Sequence, residues 1–123
     1  MEKIIIERKE DSPRVVLDAD NGLIEIEGEC YPENAFEFFE PIVAWIEEYF
    51  KNNNQETQVK FKLSYFNSST TQILFDIFDI LEEAKGDNLK IIWQYDPENM
   101  NTYKDYEEFN EEFEELHIEA VAG

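Results

Sequence analysis

Four consecutive hydroxyl side chains, Ser68 to Thr71, stand between a stretch of alternating apolar residues and a helical pattern. Sites in open α/β sheets are usually built where a strand ends and a helix begins. A phosphate on one of these hydroxyls would bring about −1.5 to −2 charges to free backbone amides at the positive end of the helix dipole. A partner packed on the same spot would have to desolvate this dianion, which opposes binding. The chemistry that this segment could carry is phosphorylation used as a switch.

The same segment also has a purely structural explanation. Ser69 followed by Gln72 matches a capping box, in which the two side chains satisfy free backbone amides at the start of a helix. Capping and modification are compatible, because one hydroxyl can cap the helix while its neighbour carries a phosphate. The residues alone leave both interpretations open.

No other group of residues predicts catalysis. Asp76 and Asp79 are three apart on a helical pattern, and acidic pairs of this kind usually form a solvated face. His117 has no nucleophile and no second metal ligand near it in the sequence. The sequence also lacks a glycine-rich phosphate loop, a zinc-protease motif, a Gly-x-Ser-x-Gly elbow and an EF-hand loop. We therefore expect a protein that is not an enzyme and that uses no metal and no cofactor.

The charge of the chain limits its partners. Its 30 acidic and 10 basic residues give a formal net charge of −20, and the resulting field repels nucleic acid phosphates and anionic lipid headgroups. We expect no nucleic acid and no membrane partner, whereas a basic protein surface would be attracted. Cys30 is the only cysteine, and the sequence shows neither a signal-peptide pattern nor a run of ~20 apolar residues. These features favour a cytoplasmic protein.

The first thirty residues alternate strand patterns with turn signals, which predicts an antiparallel meander with a hairpin at Asp20-Asn21-Gly22. In the last of these strands Ile24 and Ile26 should face one side of the sheet, while Glu25 and Glu27 face water. The predicted strands are Lys3–Glu7, Arg14–Asp18 and Leu23–Glu27.

A helix should follow from Ala35, with Asn34 as its N-cap, and should end around residues 51–54. Its apolar stripe includes Phe36, and Pro41 should bend the helix or mark where it becomes regular. The best strand pattern in the chain is Thr57–Phe66, which should be central in the sheet. Its apolar face is predicted to carry Val59, Phe61, Leu63 and Tyr65.

The rest of the chain continues the alternation of helices and strands. A helix at Thr70–Lys85, closed by Gly86 in a left-handed conformation, should connect the central strand to a parallel strand at Leu89–Tyr95. An acidic helix at Met100–Leu116 and a short strand at His117–Val121 complete the pattern. We therefore expect a single domain, residues 1–123, of the α/β class, in which helices pack on a mixed sheet.

Three separate motifs resemble the SiaC family of bacterial regulatory phosphoproteins. They are Gly28-Glu29-Cys30-Tyr31-Pro32-Glu33-Asn34, Trp45 in the first helix, and Leu63-Ser64-Tyr65-Phe66-Asn67-Ser68-Ser69 leading into Asp76-Ile77-Phe78-Asp79-Ile80-Leu81-Glu82-Glu83-Ala84. Ile92-Trp93-Gln94-Tyr95 continues the match. The resemblance extends from Asn21 to about Phe113.

This resemblance implies a STAS-like fold, similar to anti-sigma factor antagonists, and a partner-switching function. A protein Ser/Thr kinase would phosphorylate the hydroxyl that follows Asn67, and a phosphatase of the PP2C type would remove the phosphate. The unmodified form would bind and activate a diguanylate cyclase, which links the switch to cyclic di-GMP and biofilm behaviour.

The resemblance places the phosphoacceptor at Ser68. The family usually has a threonine followed by two serines here, so this sequence departs in detail, and Ser69 and Thr70 remain alternatives. The neighbours that would shape the partner surface are Tyr31, Pro32, Glu33, Asn34, Tyr65 and Asn67. A turn that enters a helix explains Pro32 and Asn34 without any function, but explains Tyr31 and Glu33 less well.

Two classes of function follow from the sequence. The first is the phosphorylation-controlled regulator that the resemblance implies. The second is a constitutive acidic interaction module, for example a decoy for a basic surface, in which the hydroxyl run only caps a helix.

Overall fold

In the computed structural model, which describes residues 1–123, three helices cover one face of a six-stranded sheet and leave the other face open. The strands are β1 (Ile4–Ile6), β2 (Arg14–Asp18), β3 (Leu23–Cys30), β4 (Thr57–Phe66), β5 (Leu89–Tyr95) and β6 (Ile118–Ala122). The helices are α1 (Ala35–Asn52), α2 (Ser68–Glu83) and α3 (Asn101–Glu112). No helix has both the length and the apolar character needed to cross a bilayer.

The strands lie in the sheet in the order in which they occur along the chain. β1, β2 and β3 form an antiparallel meander, and β3, β4, β5 and β6 are parallel to one another. A tight turn between β2 and β3 permits only antiparallel pairing, and Gly22 adopts the positive φ of 59° that this turn requires. Each later connection contains a helix, which allows parallel pairing. The mixed α/β sheet predicted from the sequence is confirmed, and β4 is central.

The core consists of the helix-facing side chains of the sheet and the apolar stripes of the helices. Its densest part is a set of stacked aromatic rings in which Phe109 of α3 lies 4.8 Å from Phe78 of α2 and 5.4 Å from Trp93 of β5, measured between ring centroids. Phe61 of β4 stacks on both Phe78 and Trp93. On β3 the predicted alternation is confirmed, because Ile24 and Ile26 are buried while the intervening glutamates are partly exposed.

Helix α1 begins as predicted, because the Asn34 side chain accepts a hydrogen bond from the backbone N–H of Glu37. Pro41 lies inside the helix and does not mark its regular start, which is Ala35. Phe36 was expected in the apolar stripe, and this expectation is wrong: its side chain is 55% exposed. The buried positions of the first turns are Ala35 and Phe39, so Phe36 points away from the sheet.

The carboxyl end of β4 departs from the predicted alternation. Gly28 of β3 pairs with Leu63, but Glu29 pairs with Tyr65, so Ser64 is an extra residue in β4. This bulge shifts the alternation by one residue. Tyr65, predicted on the buried face, is therefore 54% exposed. Phe66 packs instead against Trp93 and Phe109 in the core.

Helix α2 begins two residues earlier than predicted. Its N-cap is Asn67, whose side-chain oxygen accepts a hydrogen bond from the Thr70 amide at 3.0 Å. The predicted capping box of Ser69 and Gln72 is wrong, since an asparagine already occupies the cap position. The left-handed closure at Gly86 is also wrong, because the helix ends at Glu83 and only Gly22 and Gly28 have positive φ.

Helix α3 is shorter than predicted, and β6 is confirmed beside β5. The Tyr106 hydroxyl donates a hydrogen bond to the Ile118 carbonyl and so ties α3 to β6. The preceding residue, Asp105, is partly buried, and its carboxylate has no hydrogen-bond or ion-pair partner. Burial, followed by repulsion from Glu108, raises the pKa of Asp105 from its ordinary 3.8 to about 6.

The cap of α2 predicts a loss of stability in Asn67→Ala. We expect the free energy of unfolding to fall by about 1 kcal/mol, because the Thr70 amide loses its acceptor. Asn67→Ser should retain most of the stability, since serine is also a good N-cap. Urea unfolding of the three proteins measures the difference. Equal stability of the alanine and serine variants would contradict the assigned cap.

The raised pKa of Asp105 predicts that Asp105→Asn stabilises the protein at pH 7.5. A raised native pKa means that this aspartate contributes stability below its unfolded value, and that the contribution is lost as the pH rises through about 6. The gain from Asp105→Asn in urea midpoint should therefore be larger at pH 7.5 than at pH 5. Asp76→Asn, at an exposed position of α2, is the matched control. A gain that does not differ between the two pH values would contradict the burial of Asp105.

Candidate functional site

The parallel pairing of β3 and β4 brings the two predicted segments to one edge of the sheet. Cys30 is paired with Phe66 at the ends of the two strands, so Tyr31 and Asn67 leave the sheet side by side. The rings of Tyr31 and Tyr65 contact each other edge to face, with centroids 5.8 Å apart. The turn at residues 31–34 and the loop that carries Ser68 are therefore neighbours.

The carbonyl of Cys30 fixes the start of α2. It accepts hydrogen bonds from the Asn67 amide and from the Thr70 hydroxyl, each at 3.2 Å. Thr70 is completely buried, and its hydroxyl also lies 3.5 Å from the Cys30 thiol. Burial raises the pKa of this thiol to about 11, so it stays protonated at neutral pH. Cys30 and Thr70 therefore position the site and are not available for reaction.

Ser68 is the first residue of α2, and its side chain is exposed to solvent. The amides of Ser68 and Ser69 have no acceptor in the protein, as expected for the first turn of a helix. The amides of Thr70 and Thr71 already donate to Asn67. An anion above Ser68 would therefore meet two free N–H groups.

The hydroxyls of the run differ in what surrounds them. Ser68 and Ser69 are exposed, whereas Thr70 is buried and hydrogen-bonded. The Thr71 hydroxyl donates to the Asn67 carbonyl at 3.1 Å. Ser68 and Ser69 are therefore the exposed hydroxyls of the run, while Thr71 is only partly exposed and Thr70 is buried.

The end of β4 and the start of α2 differ in charge from the rest of the chain. Residues 63–75 contain no charged side chain, although 33% of the whole sequence is charged. The first turn of α2 has no acidic residue, whereas that of α1 contains Glu37. The positive end of the α2 dipole is consequently not neutralised by a carboxylate.

The structure places the six predicted partner-surface residues at the same edge. Tyr31, Glu33, Asn34 and Tyr65 are exposed, and Pro32 and Asn67 are partly exposed. Asn34 and Asn67 have structural roles as the caps of α1 and α2.

The sequence pattern does not reveal that Phe36 is exposed or that Cys30 and Thr70 position the site. Cys30 lies within the first motif and Thr70 directly follows the second, but a buried, hydrogen-bonded threonine cannot be recognised from the sequence pattern.

Five surface clefts of about 230 to 440 Å³ are lined by other residues, and none of them includes Ser68, Tyr31 or Tyr65. No group of three or more His, Cys, Asp or Glu side chains is arranged to hold a metal ion.

A curated relative and solved structures resemble this chain over nearly its whole length. The curated relative, an uncharacterized protein of Pseudomonas aeruginosa strain UCBPP-PA14, is 30% identical over 114 residues, which cover 91% of this chain and 90% of that protein. The crystal structure of apo-SiaC from Pseudomonas aeruginosa matches with a TM-score of 0.80 and 27% identity, over 99% of this chain and 98% of that chain.

A chain in the crystal structure of diguanylate cyclase SiaD in complex with its activator SiaC, also from Pseudomonas aeruginosa, matches with a TM-score of 0.90. Its identity is 28%, over 98% of this chain and 99% of that chain. The model of the SiaC family of regulatory phosphoproteins matches residues 6–123. Because this match extends over nearly the whole chain, the protein belongs to the SiaC family.

Proposed function

We propose that this protein is a phosphorylation-controlled regulator whose unmodified form binds and activates a diguanylate cyclase. The observation that carries the proposal is the exposed hydroxyl of Ser68 at the N-terminus of α2, whose first turn contains no charged side chain. The chain acts as a single domain and is not an enzyme. Its output is a change in cyclic di-GMP synthesis by the partner, in the cytoplasm.

The family and the similar structures support the identity of the partner. In Pseudomonas aeruginosa, SiaC is the activator of the diguanylate cyclase SiaD. This chain matches one chain of the crystal structure of their complex over nearly its full length. A cyclase of the same class is therefore the partner that we propose, with a protein Ser/Thr kinase and a PP2C-type phosphatase controlling the switch.

Ser68 is the preferred phosphoacceptor among the hydroxyls of the run. Thr70 is excluded as an acceptor in the folded protein because its hydroxyl is buried and bonded to Cys30. Ser69 is exposed as well, but Ser68 is the residue that directly follows the Asn67 cap, as the family resemblance requires. A phosphate on Ser68 is stabilised by the free amides of Ser68 and Ser69.

The phosphate acts on the partner and not on the fold. The caps and the Cys30 contacts do not involve the Ser68 side chain, so modification leaves α2 in place. A cyclase surface packed on this uncharged edge would have to desolvate a dianion, and binding is lost. The absence of charge over residues 63–75 supports this mode of binding over a simple acidic decoy.

Incubation with the kinase of the same organism and ATP should add one phosphate, which mass spectrometry maps to Ser68. Ser68→Ala should abolish the modification, and Ser69→Ala, the matched control, should leave it intact. A phosphate that maps to any other residue would show that the acceptor has been assigned wrongly.

Measured affinities for the cyclase should distinguish a phosphorylation-controlled regulator from a constitutive acidic interaction module. We expect Ser68→Asp to weaken binding about tenfold or more, which corresponds to ~1.4 kcal/mol, while Ser68→Ala binds like the wild type. Asn101→Asp is a matched control, because it adds the same charge at the exposed first residue of α3. Calorimetric titration at two salt concentrations measures these affinities.

The packed surface should lose little affinity with added salt, whereas an acidic decoy loses affinity steeply. A steep salt dependence together with equal binding of Ser68→Asp would refute the switch.

A further inference from the structure

Two exposed tyrosine rings lie beside the Ser68 loop on the open side of the sheet. Tyr31 is 36% and Tyr65 54% exposed, and their rings meet at an angle of 68° with centroids 5.8 Å apart. Tyr65 is paired with Glu29 in the sheet. Because successive residues of a strand face opposite sides, Glu29 lies on the sheet face that is not the one where Cys30 is buried. The two exposed rings, Tyr31 and Tyr65, therefore form an L-shaped aromatic corner at the end of the sheet face that no helix covers.

Three carboxylates surround this corner. The Tyr31 amide donates a hydrogen bond to the Asp11 carbonyl at 2.8 Å, which holds the segment with Glu10 and Asp11 against Tyr31. Burial, and then the charges of Glu29, Glu10 and Asp11, raise the pKa of Tyr31. The potential at the phenol is therefore negative.

No ion pair of the chain neutralises this potential, although the Arg8 side chain lies over Gly28, one residue before Glu29. The five ion pairs involve Asp18, Glu7, Glu27, Glu115 and Glu119. None of the three carboxylates around Tyr31 takes part in one of these pairs. Exposed aromatic faces next to unpaired carboxylates are the surroundings that a planar guanidinium prefers, because it can stack on a ring and bond a carboxylate at the same time.

We propose that Tyr31, Tyr65 and Glu29 form a receptor for an arginine side chain of the partner protein. The proposal rests on the proposed function, in that the partner is the protein controlled through Ser68. The receptor lies on the sheet face that no helix covers, whereas Ser68 is part of helix α2 on the other face. The arginine contact therefore orients the partner, and the phosphate decides whether the partner packs.

The receptor can be tested without any partner protein. We propose an NMR titration of the full chain with N-acetyl-arginine methylamide, using the neutral isostere N-acetyl-citrulline methylamide as the control ligand. The arginine ligand should cause saturable shifts of the Tyr31 and Tyr65 ring protons and of the Glu29 amide. Tyr65→Ala and Glu29→Gln should each weaken this binding about fivefold. Phe36→Ala, which removes an exposed aromatic ring outside the receptor, should leave it unchanged.

Equal shifts with both ligands, or shifts spread over the acidic surface and unchanged in Tyr65→Ala and Glu29→Gln, would overturn the receptor. Since both variants replace partly exposed or exposed side chains, the folded spectrum of each provides its own control. If the cyclase binds the wild type while the arginine ligand shows no site, this inference fails and the proposed function stands. If the ligand binds at the receptor but the cyclase does not bind, the proposed function fails and the receptor stands.

Discussion

The carbonyl of Cys30 holds together the parts on which the site depends. It lies at the end of β3 and accepts hydrogen bonds from the Asn67 amide and the Thr70 hydroxyl, at the start of α2. A parallel sheet leaves such terminal carbonyls without a strand partner, so a neighbouring crossover can use them. Because this contact fixes where α2 begins, it also determines that Ser68 is the first residue of the helix and faces solvent.

Two local features, the bulge in β4 and the N-cap of α2, determine which side chains are exposed where these elements meet. The extra residue Ser64 in β4 turns Tyr65 outward and Phe66 inward, so an exposed ring is obtained without loss of core packing. The Asn67 cap satisfies the Thr70 amide and leaves the hydroxyl of Ser68 unused by the fold. The protein can therefore change the charge of this surface without changing its own structure.

The sequence predicted the sheet well, because strands with one wet face and helices with an apolar stripe have clear periodicities. β2, β4 and β5 have the predicted bounds, and the meander followed by parallel crossovers is confirmed. The family and the position of Ser68 at the end of β4 were also visible from the motifs. The errors at Tyr65, Ser69 and Phe36 share a cause, since each depends on the register or cap that tertiary contacts select where an element begins or ends.

The most direct test of the account is an amide NMR spectrum of the protein phosphorylated on Ser68. We expect large downfield shifts of the Ser68 and Ser69 amides, because they would donate to the phosphate. The shifts of Thr70 and of the residues around Cys30 should stay unchanged. Unshifted Ser68 and Ser69 amides, or changes that spread through α2 and the Cys30 contacts, would show that the phosphate does not sit on the helix tip or that it acts by remodelling the fold.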